Sequence, residues 1–85
     1  MKAFQYIITD EIGIHARPAG LLVKEAGKYH SRIMLSGNGK DADAGKLMAV
    51  MCMGIRQGMS VTVTAEGPDE EQAIEAMKRF FRENL

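Results

Sequence analysis

The segment Ser60–Ala65 alternates apolar and hydroxyl side chains, and it constrains the fold more than any other part of this chain. Its apolar members are Val61, Val63 and Ala65, and they alternate with Thr62 and Thr64. Because successive side chains of a strand point to opposite faces, the pattern predicts a strand with one buried face and one solvated face. Strands of this kind are typical of antiparallel sheets that other elements cover on one side only.

Three other segments have the features of strands. Ala3–Thr9 combines alternation with aromatic and β-branched residues, and Arg32–Ser36 carries two apolar side chains on one face. The sequence Gly37-Asn38-Gly39 favours a tight hairpin. A short strand is therefore predicted directly after it, at Lys40–Ala42.

Three segments are predicted to be helices: Ala16–Lys28, a short one at Lys46–Met53, and one from about 70 to 83. The first and the last carry apolar stripes at helical spacing. Their members are Ala19, Leu22, Val23 and Ala26 in the first, and Ala73, Ile74, Met77, Phe80 and Phe81 in the last. Gly54 is a favoured residue for the end of the second helix. The spacing from Asp69 to Gln72 resembles a capping box at the start of the third.

The predicted order β-α-β-β-α-β-α indicates an α+β fold with two layers. A four-stranded antiparallel sheet would be covered on one face by the amphipathic helices and largely exposed on the other. Because 85 residues leave little room for a second core, we expect a single domain that spans residues 1–85.

Composition argues against several classes of function. Eleven basic residues balance eleven acidic ones, whereas general nucleic-acid binding requires a basic surface. The longest apolar stretch, Leu47–Met53, is far shorter than the roughly 20 residues that span a bilayer, and no signal peptide is evident. Cys52 has no disulfide partner, and we expect it to be half-buried and unreactive. No zinc-ligand spacing is present. We therefore expect a soluble cytoplasmic protein without metal or cofactor.

His15 stands directly before the first predicted helix. A helix N-terminus has unpaired N–H groups and a partial positive charge, so a phosphoryl group on the ring would find donors there. We expect these donors to be the N–H groups of Ala16 and Arg17, because Pro18 has none. The Arg17 guanidinium can bind phosphate oxygens, and positive surroundings favour the neutral imidazole that a nucleophile needs. These residues alone leave open that His15 is a capping histidine without chemistry.

The segment Gly13-Ile14-His15-Ala16-Arg17-Pro18-Ala19 resembles the active-site motif of the HPr family. These proteins are the histidine phosphocarriers of the bacterial phosphoenolpyruvate-dependent sugar phosphotransferase system. The resemblance covers essentially the whole chain, including Lys46–Met51, the Gln57-Gly58 turn and Ala65-Glu66-Gly67. It implies an open-faced β-sandwich and a monomeric carrier rather than an enzyme.

The resemblance also implies roles for two residues. Enzyme I would phosphorylate His15 on Nδ1, and Arg17 would stabilise the phosphoryl group. His15 would then donate that group to the IIA domains of sugar permeases.

Two positions depart from the family pattern. Many Gram-positive members have a regulatory serine at position 46, whereas this chain has Lys46, so we expect no regulatory serine and no control by its kinase. Ile12 precedes the motif glycine, where members often carry a small polar residue able to hydrogen-bond near the phosphate. We expect this change to alter the lifetime of the phosphohistidine without abolishing transfer.

The resemblance places the partner-binding face on the first and second helices. The apolar candidates are Leu47, Met48 and Met51, and the basic candidates are Lys24, Lys28, Lys46 and Arg56. Methionine repacks readily against different partners, and basic side chains suit an acidic partner surface.

Two other classes of function stay open at this point. A regulatory module of the same fold would act in a regulatory phosphotransfer branch, or would bind transcription factors or metabolic enzymes. An intact His15 and Arg17 favour carrying, and Lys46 disfavours a role that depends on phosphoserine. A small enzyme is the third class, although the sequence supplies no second catalytic group beside His15.

Overall fold

The computed structural model describes all of residues 1–85. The strands are β1 (Lys2–Ile7), β2 (Arg32–Gly37), β3 (Lys40–Asp43) and β4 (Ser60–Glu66), and the helices are α1 (Ala16–Ala26), α2 (Leu47–Met51) and α3 (Glu70–Asn84). All strand pairs are antiparallel, and the sheet order is β1-β4-β2-β3. The α+β class and the order β-α-β-β-α-β-α are confirmed.

One face of the sheet carries the core. Val61, Val63 and Ala65 of β4 are fully buried, as the alternation predicts. Helix α3 packs on β1 and β4, α2 packs on β3, and α1 packs on both other helices. The ring of Phe81 on α3 is buried and meets Phe4 edge-on, with centroids 5.9 Å apart. The burial of apolar side chains on this one face of the sheet is the main way in which the alternating pattern stabilises the fold.

The opposite face of the sheet is open. In β1, Gln5 and Ile7 are exposed, and Ile7 keeps 59% of its surface accessible. Gln5 contacts the neighbouring strand through a hydrogen bond from Nε2 to Thr62 Oγ1 of 3.4 Å. The sheet is therefore open-faced, with all three helices on one side.

The β2–β3 hairpin turns through two residues, Asn38 and Gly39, which have φ angles of 53° and 73°. Two consecutive positive φ values are characteristic of a type I′ turn, whose twist matches that of the strands. Asn38 has a second role, because its Nδ2 donates to the Met53 carbonyl at 2.9 Å.

Three element boundaries differ from the predictions by two residues, and the others agree to within one residue. Helix α1 ends at Ala26 rather than Lys28, because the N–H groups of Lys28 and Tyr29 bond three residues back, to the carbonyls of Glu25 and Ala26. Helix α2 ends at Met51 rather than at Met53, because the Met53 N–H bonds three residues back, to the Val50 carbonyl. Strand β1 ends at Ile7 because the ladder is broken just after it: the Ile8 carbonyl accepts from Gly58, and the Thr9 N–H bonds to the Leu85 carbonyl.

The predicted capping box at Asp69 is wrong. Asp69 is the N-cap residue of α3, but its side chain makes no capping hydrogen bond. Its carboxylate instead accepts from Ser31 Oγ at 2.6 Å and from the His30 N–H at 2.8 Å. The carboxylate thus ties the start of α3 to the loop between α1 and β2.

We expect Asp69→Asn to destabilise the protein at neutral pH and to have less effect in acid. The hydrogen bonds from Ser31 and His30 lower the pKa of Asp69 below its ordinary value of 3.8. Its stabilisation is therefore fully present above that value and is lost as the pH falls through the lower folded-state pKa. Urea unfolding of both proteins at neutral pH and below pH 3.8 measures the difference.

Glu11→Gln is the matched control for this experiment, because Glu11 is exposed and its carboxylate makes no hydrogen bond or ion pair. If the free energies of unfolding of wild type and Asp69→Asn differed by the same amount at both pH values, the charge of the Asp69 carboxylate would not contribute to stability.

Candidate functional site

His15 lies where the sequence places it, at the N-cap of α1. Its backbone is extended, its imidazole is 38% exposed, and its carbonyl accepts the first helical hydrogen bond, from the Ala19 N–H at 2.9 Å. The N–H groups of Ala16 and Arg17 donate to no acceptor within the chain, and Pro18 has none to donate. Two free donors and the positive end of the helix dipole thus adjoin an accessible ring.

Arg17 occupies the first turn of α1 with its side chain in solvent. It forms no ion pair within the chain, so its guanidinium keeps its full hydrogen-bonding capacity. A planar guanidinium next to two free N–H groups can bind the oxygens of a phosphoryl group in a bidentate manner.

Gly13 allows the loop that precedes His15 to pack closely against the backbone of Ile55 and Arg56. Its φ is +84°, and a Cβ built on it would lie 2.4 Å from the Ile55 carbonyl oxygen and 2.7 Å from Arg56 Cα. The following N–H, that of Ile14, donates to the same Ile55 carbonyl at 3.1 Å. Only glycine allows this close backbone contact, which joins the loop before α1 to the segment that precedes β4.

Asp10 is the residue of this region that the sequence analysis missed. Its Oδ2 accepts from the N–H groups of Ile12 and Gly13, both at 3.1 Å, and lies 4.0 Å from His15 Nε2. The signal was present, because an aspartate followed by a glycine three residues later is typical of a side-chain-capped turn. The distance between its carboxylate and the His15 ring depends on the conformation of the loop, so the spacing of the two residues in the sequence does not predict it.

The apolar candidates for the partner-binding face are exposed. Leu47 and Met51 are 41% and 37% accessible and Met48 is 67% accessible, whereas Val50 of the same helix is buried. Leu21 of α1, which the sequence analysis did not select, is also exposed at 41%. We call Leu21, Leu47, Met48 and Met51 the apolar patch; α1 and α2 pack against each other, so it spans adjoining helices.

The basic candidates differ in their surroundings, although all four are exposed: Lys24, Lys28, Lys46 and Arg56. The backbone of Arg56 lies against Gly13, close to the His15 loop. Lys28 pairs with Glu25 at 3.1 Å beyond the C-terminal end of α1, and the 11-residue helix alone separates it from His15 by roughly 16.5 Å along the axis. The backbone of Arg56 therefore lies close to the His15 loop, whereas Lys28 lies at the far end of α1.

The expectation that Cys52 is half-buried is wrong, because the residue is exposed. It caps the short helix α2 while the neighbouring Met53 turns into the core. No group of three or more histidine, cysteine, aspartate or glutamate side chains is arranged to hold a metal ion. None of the helices combines the length and apolar character required to cross a bilayer.

Comparisons with known proteins agree with this geometry. The family model described as the PTS HPr component phosphorylation site matches residues 2–83. The chain is 46% identical over 79 residues to the phosphocarrier protein HPr of Mycoplasma capricolum. The aligned region covers 93% of this chain and 89% of the relative. A solved mycoplasma histidine-containing phosphocarrier protein superposes with a TM-score of 0.93 at 43% identity, covering 96% and 93% of the two chains.

A third relative shows a variation of the same fold. The catabolite repression protein Crh of Bacillus subtilis, solved as a dimer with a swapped domain, has a TM-score of 0.78 and 32% identity. The match covers 94% of this chain and 92% of Crh. Both the family model and the relatives extend over nearly the whole chain, so this protein belongs to the HPr family of phosphocarrier proteins of the phosphotransferase system.

Proposed function

We propose that this chain accepts a phosphoryl group from phospho-enzyme I on His15 and donates it to IIA domains of sugar permeases. The observation that carries the proposal is the accessible His15 ring at the start of α1, beside two unpaired N–H groups and the unpaired Arg17 guanidinium. Membership of the HPr family supports the same roles.

The transfer would proceed by attack of the Nδ1 lone pair of neutral His15 on the phosphorus of a phosphohistidine donor. The new Nδ1–P bond forms as the P–N bond of the donor breaks, and the donor ring leaves with that electron pair as neutral imidazole. The N–H groups of Ala16 and Arg17 and the Arg17 side chain would bind the phosphoryl oxygens during and after transfer. Donation to a IIA histidine is the same step with the roles of the two rings exchanged.

A carrier explains the shape of the site better than an enzyme does. None of the concavities of the surface is lined by His15 or Arg17, so the acceptor is presented on an open surface rather than in a substrate pocket. Most small-molecule sites are concave and enclose their ligand, whereas an exposed acceptor suits a reaction completed by a partner protein. The other catalytic groups would come from enzyme I and the IIA domain.

The apolar patch and the basic side chains near it would form the docking surface for both partners. Its four members are exposed although they are large and apolar, and Arg56 and Lys46 add positive charge. Exposed methionines adapt to more than one partner surface, which a carrier between two proteins requires. We propose that the chain acts as a monomer in the cytoplasm, a compartment that suits its single cysteine.

Met48→Ala is expected to raise the KM for phosphotransfer from enzyme I about tenfold, because Met48 is the most exposed member of the apolar patch. The maximal rate should change little, since docking and not the ring would be affected. Ile7→Ala is the matched control, as Ile7 is a large exposed side chain on the open face of the sheet. Equal KM values for the two variants would argue against docking through the patch.

The proposed function is tested by reconstituting the relay with phosphoenolpyruvate, magnesium, enzyme I and a IIA domain. We expect the IIA domain to become phosphorylated only when this chain is added, and not when His15→Ala replaces it. A chain that is phosphorylated but passes nothing to any of several IIA domains would instead serve a regulatory branch, as its similarity to Crh also allows.

A further inference from the structure

We infer that Asp10 is a positioning residue for phosphoryl transfer: its carboxylate holds the proton of the neutral His15 ring on Nε2 and thereby leaves Nδ1 free to attack. The inference deepens the proposed function and rests on it, because it assigns a role in transfer to His15. The observation behind it is the distance of 4.0 Å between Asp10 Oδ2 and His15 Nε2.

Asp10 is held in place by hydrogen bonds to three other residues, Ile12, Gly13 and Leu85. Its N–H donates to the Leu85 carbonyl at 2.8 Å, and its own carbonyl accepts from the Gly13 N–H at 3.2 Å. Its Oδ2 also accepts from the N–H groups of Ile12 and Gly13, both at 3.1 Å. The carboxylate is therefore fixed in position before any partner arrives, which is the requirement for an electrostatic role in transfer.

The electrostatic surroundings of the ring make Asp10 its specific partner. Asp10 is the only acidic residue with a carboxylate oxygen within 4.0 Å of the imidazole. Neither side chain is deeply buried, with 38% of each exposed, so solvent weakens the attraction without removing it. Ile12, whose N–H bonds to Asp10, offers no polar side-chain atom to the site.

In the neutral ring a nearby carboxylate selects between two tautomers. A neutral imidazole carries one proton, on either Nδ1 or Nε2, and the nitrogen without the proton has the lone pair. The negative charge near Nε2 stabilises the tautomer with the proton on that nitrogen, as carboxylates do for metal-bound histidines. Nδ1 then presents its lone pair to the phosphorus of the donor.

The same carboxylate acts on the charge that appears during transfer. When the Nδ1–P bond forms and the donor P–N bond breaks, His15 keeps its Nε2 proton, and its ring becomes a cationic imidazolium. Asp10 thus faces a neutral ring before transfer and a positive one in the transition state and product. An interaction that strengthens along the reaction accelerates it, whereas one of constant strength does not.

Capping of the loop does not account for the negative charge of Asp10. A side chain that accepts from the Ile12 and Gly13 N–H groups needs only an oxygen, and asparagine supplies one in such turns. Asp10→Asn therefore keeps the cap and removes the charge. Glu11→Gln is the control, because it removes one exposed carboxylate from the adjacent residue without touching the ring.

The test combines two readouts on wild type, Asp10→Asn and Glu11→Gln. The ¹⁵N chemical shifts of the His15 ring at alkaline pH report which nitrogen carries the proton. Single-turnover quench experiments with phospho-enzyme I report the transfer rate. For Asp10→Asn we expect a larger Nδ1–H fraction and a transfer rate about three- to tenfold lower, whereas Glu11→Gln should match wild type.

An unchanged ring tautomer in Asp10→Asn would overturn the inference, as would a transfer rate equal to that of Glu11→Gln. A loop cap alone would not shift the tautomer, so this readout separates positioning from a structural role. If wild type accepts no phosphoryl group from an active enzyme I, the proposed function fails. The tautomer comparison does not depend on enzyme I and would still report whether Asp10 orients the ring.

Discussion

Replacing Gly13 with alanine is expected to lower the free energy of unfolding by about 3 kcal/mol. The φ of +84° disfavours any residue with a Cβ, and the new atom would lie 2.4 Å from the Ile55 carbonyl oxygen. The three atoms nearest to the new Cβ all belong to the backbone of Ile55 and Arg56, so none can move aside as a side-chain end can. A chain of this length has about 4 to 13 kcal/mol of stability, so the loss would be a large part of it.

Gly58→Ala is the matched control for this prediction. Gly58 has nearly the same φ, +87°, but no atom lies within 4 Å of the position its Cβ would take. We therefore expect Gly58→Ala to lower stability by only about 1 to 2 kcal/mol, the contribution of the backbone conformation alone. Urea denaturation of both variants gives the comparison, and equal losses would show that the contact with Ile55 and Arg56 does not constrain the loop.

Replacing Arg17 with alanine is expected to slow phosphoryl uptake by His15 about 10- to 100-fold without changing stability. A charge-assisted hydrogen bond contributes about 1.5 to 3 kcal/mol, and this one would form only with the phosphoryl oxygens. Because the Arg17 side chain is exposed and forms no ion pair within the chain, its loss leaves the fold intact. Rapid-quench measurement of transfer from phospho-enzyme I gives the rate.

Two variants make the Arg17 result specific. Arg17→Lys keeps the charge but loses the planar pair of donors, so its rate should fall between those of wild type and Arg17→Ala. Arg79→Ala removes an exposed arginine from α3 and should behave as wild type. If Arg17→Ala transfers as fast as Arg79→Ala, the guanidinium takes no part in transfer.

The parts of the fold that depend on local patterns were predictable from the sequence. Alternation in Ser60–Ala65 gave the buried face of β4, and Gly37-Asn38-Gly39 gave the type I′ hairpin. The position of His15 at the start of α1 followed from helical periodicity, and the structure confirms that position. Each of these features is determined within a few residues, which is the range that a pattern in one sequence can report.

The features that were not predicted depend on contacts between distant segments. Asp69 has the spacing of a capping residue, but its carboxylate binds the loop at Ser31, 38 residues away in the chain. Asp10 comes close to the His15 ring because the loop is anchored to Leu85 and Ile55. These conformations depend on hydrogen bonds between residues that are far apart in the chain, and patterns over a few residues do not report such bonds.

Intact mass spectrometry shows whether His15 carries the phosphoryl group. The purified chain is incubated with phosphoenolpyruvate, magnesium and an enzyme I shown to phosphorylate another HPr, and its mass is recorded before and after brief acid treatment. We expect wild type to gain one phosphoryl group that acid removes, and we expect His15→Ala to gain none. No adduct on wild type, or an adduct that persists in acid or in His15→Ala, would contradict the proposed role of His15.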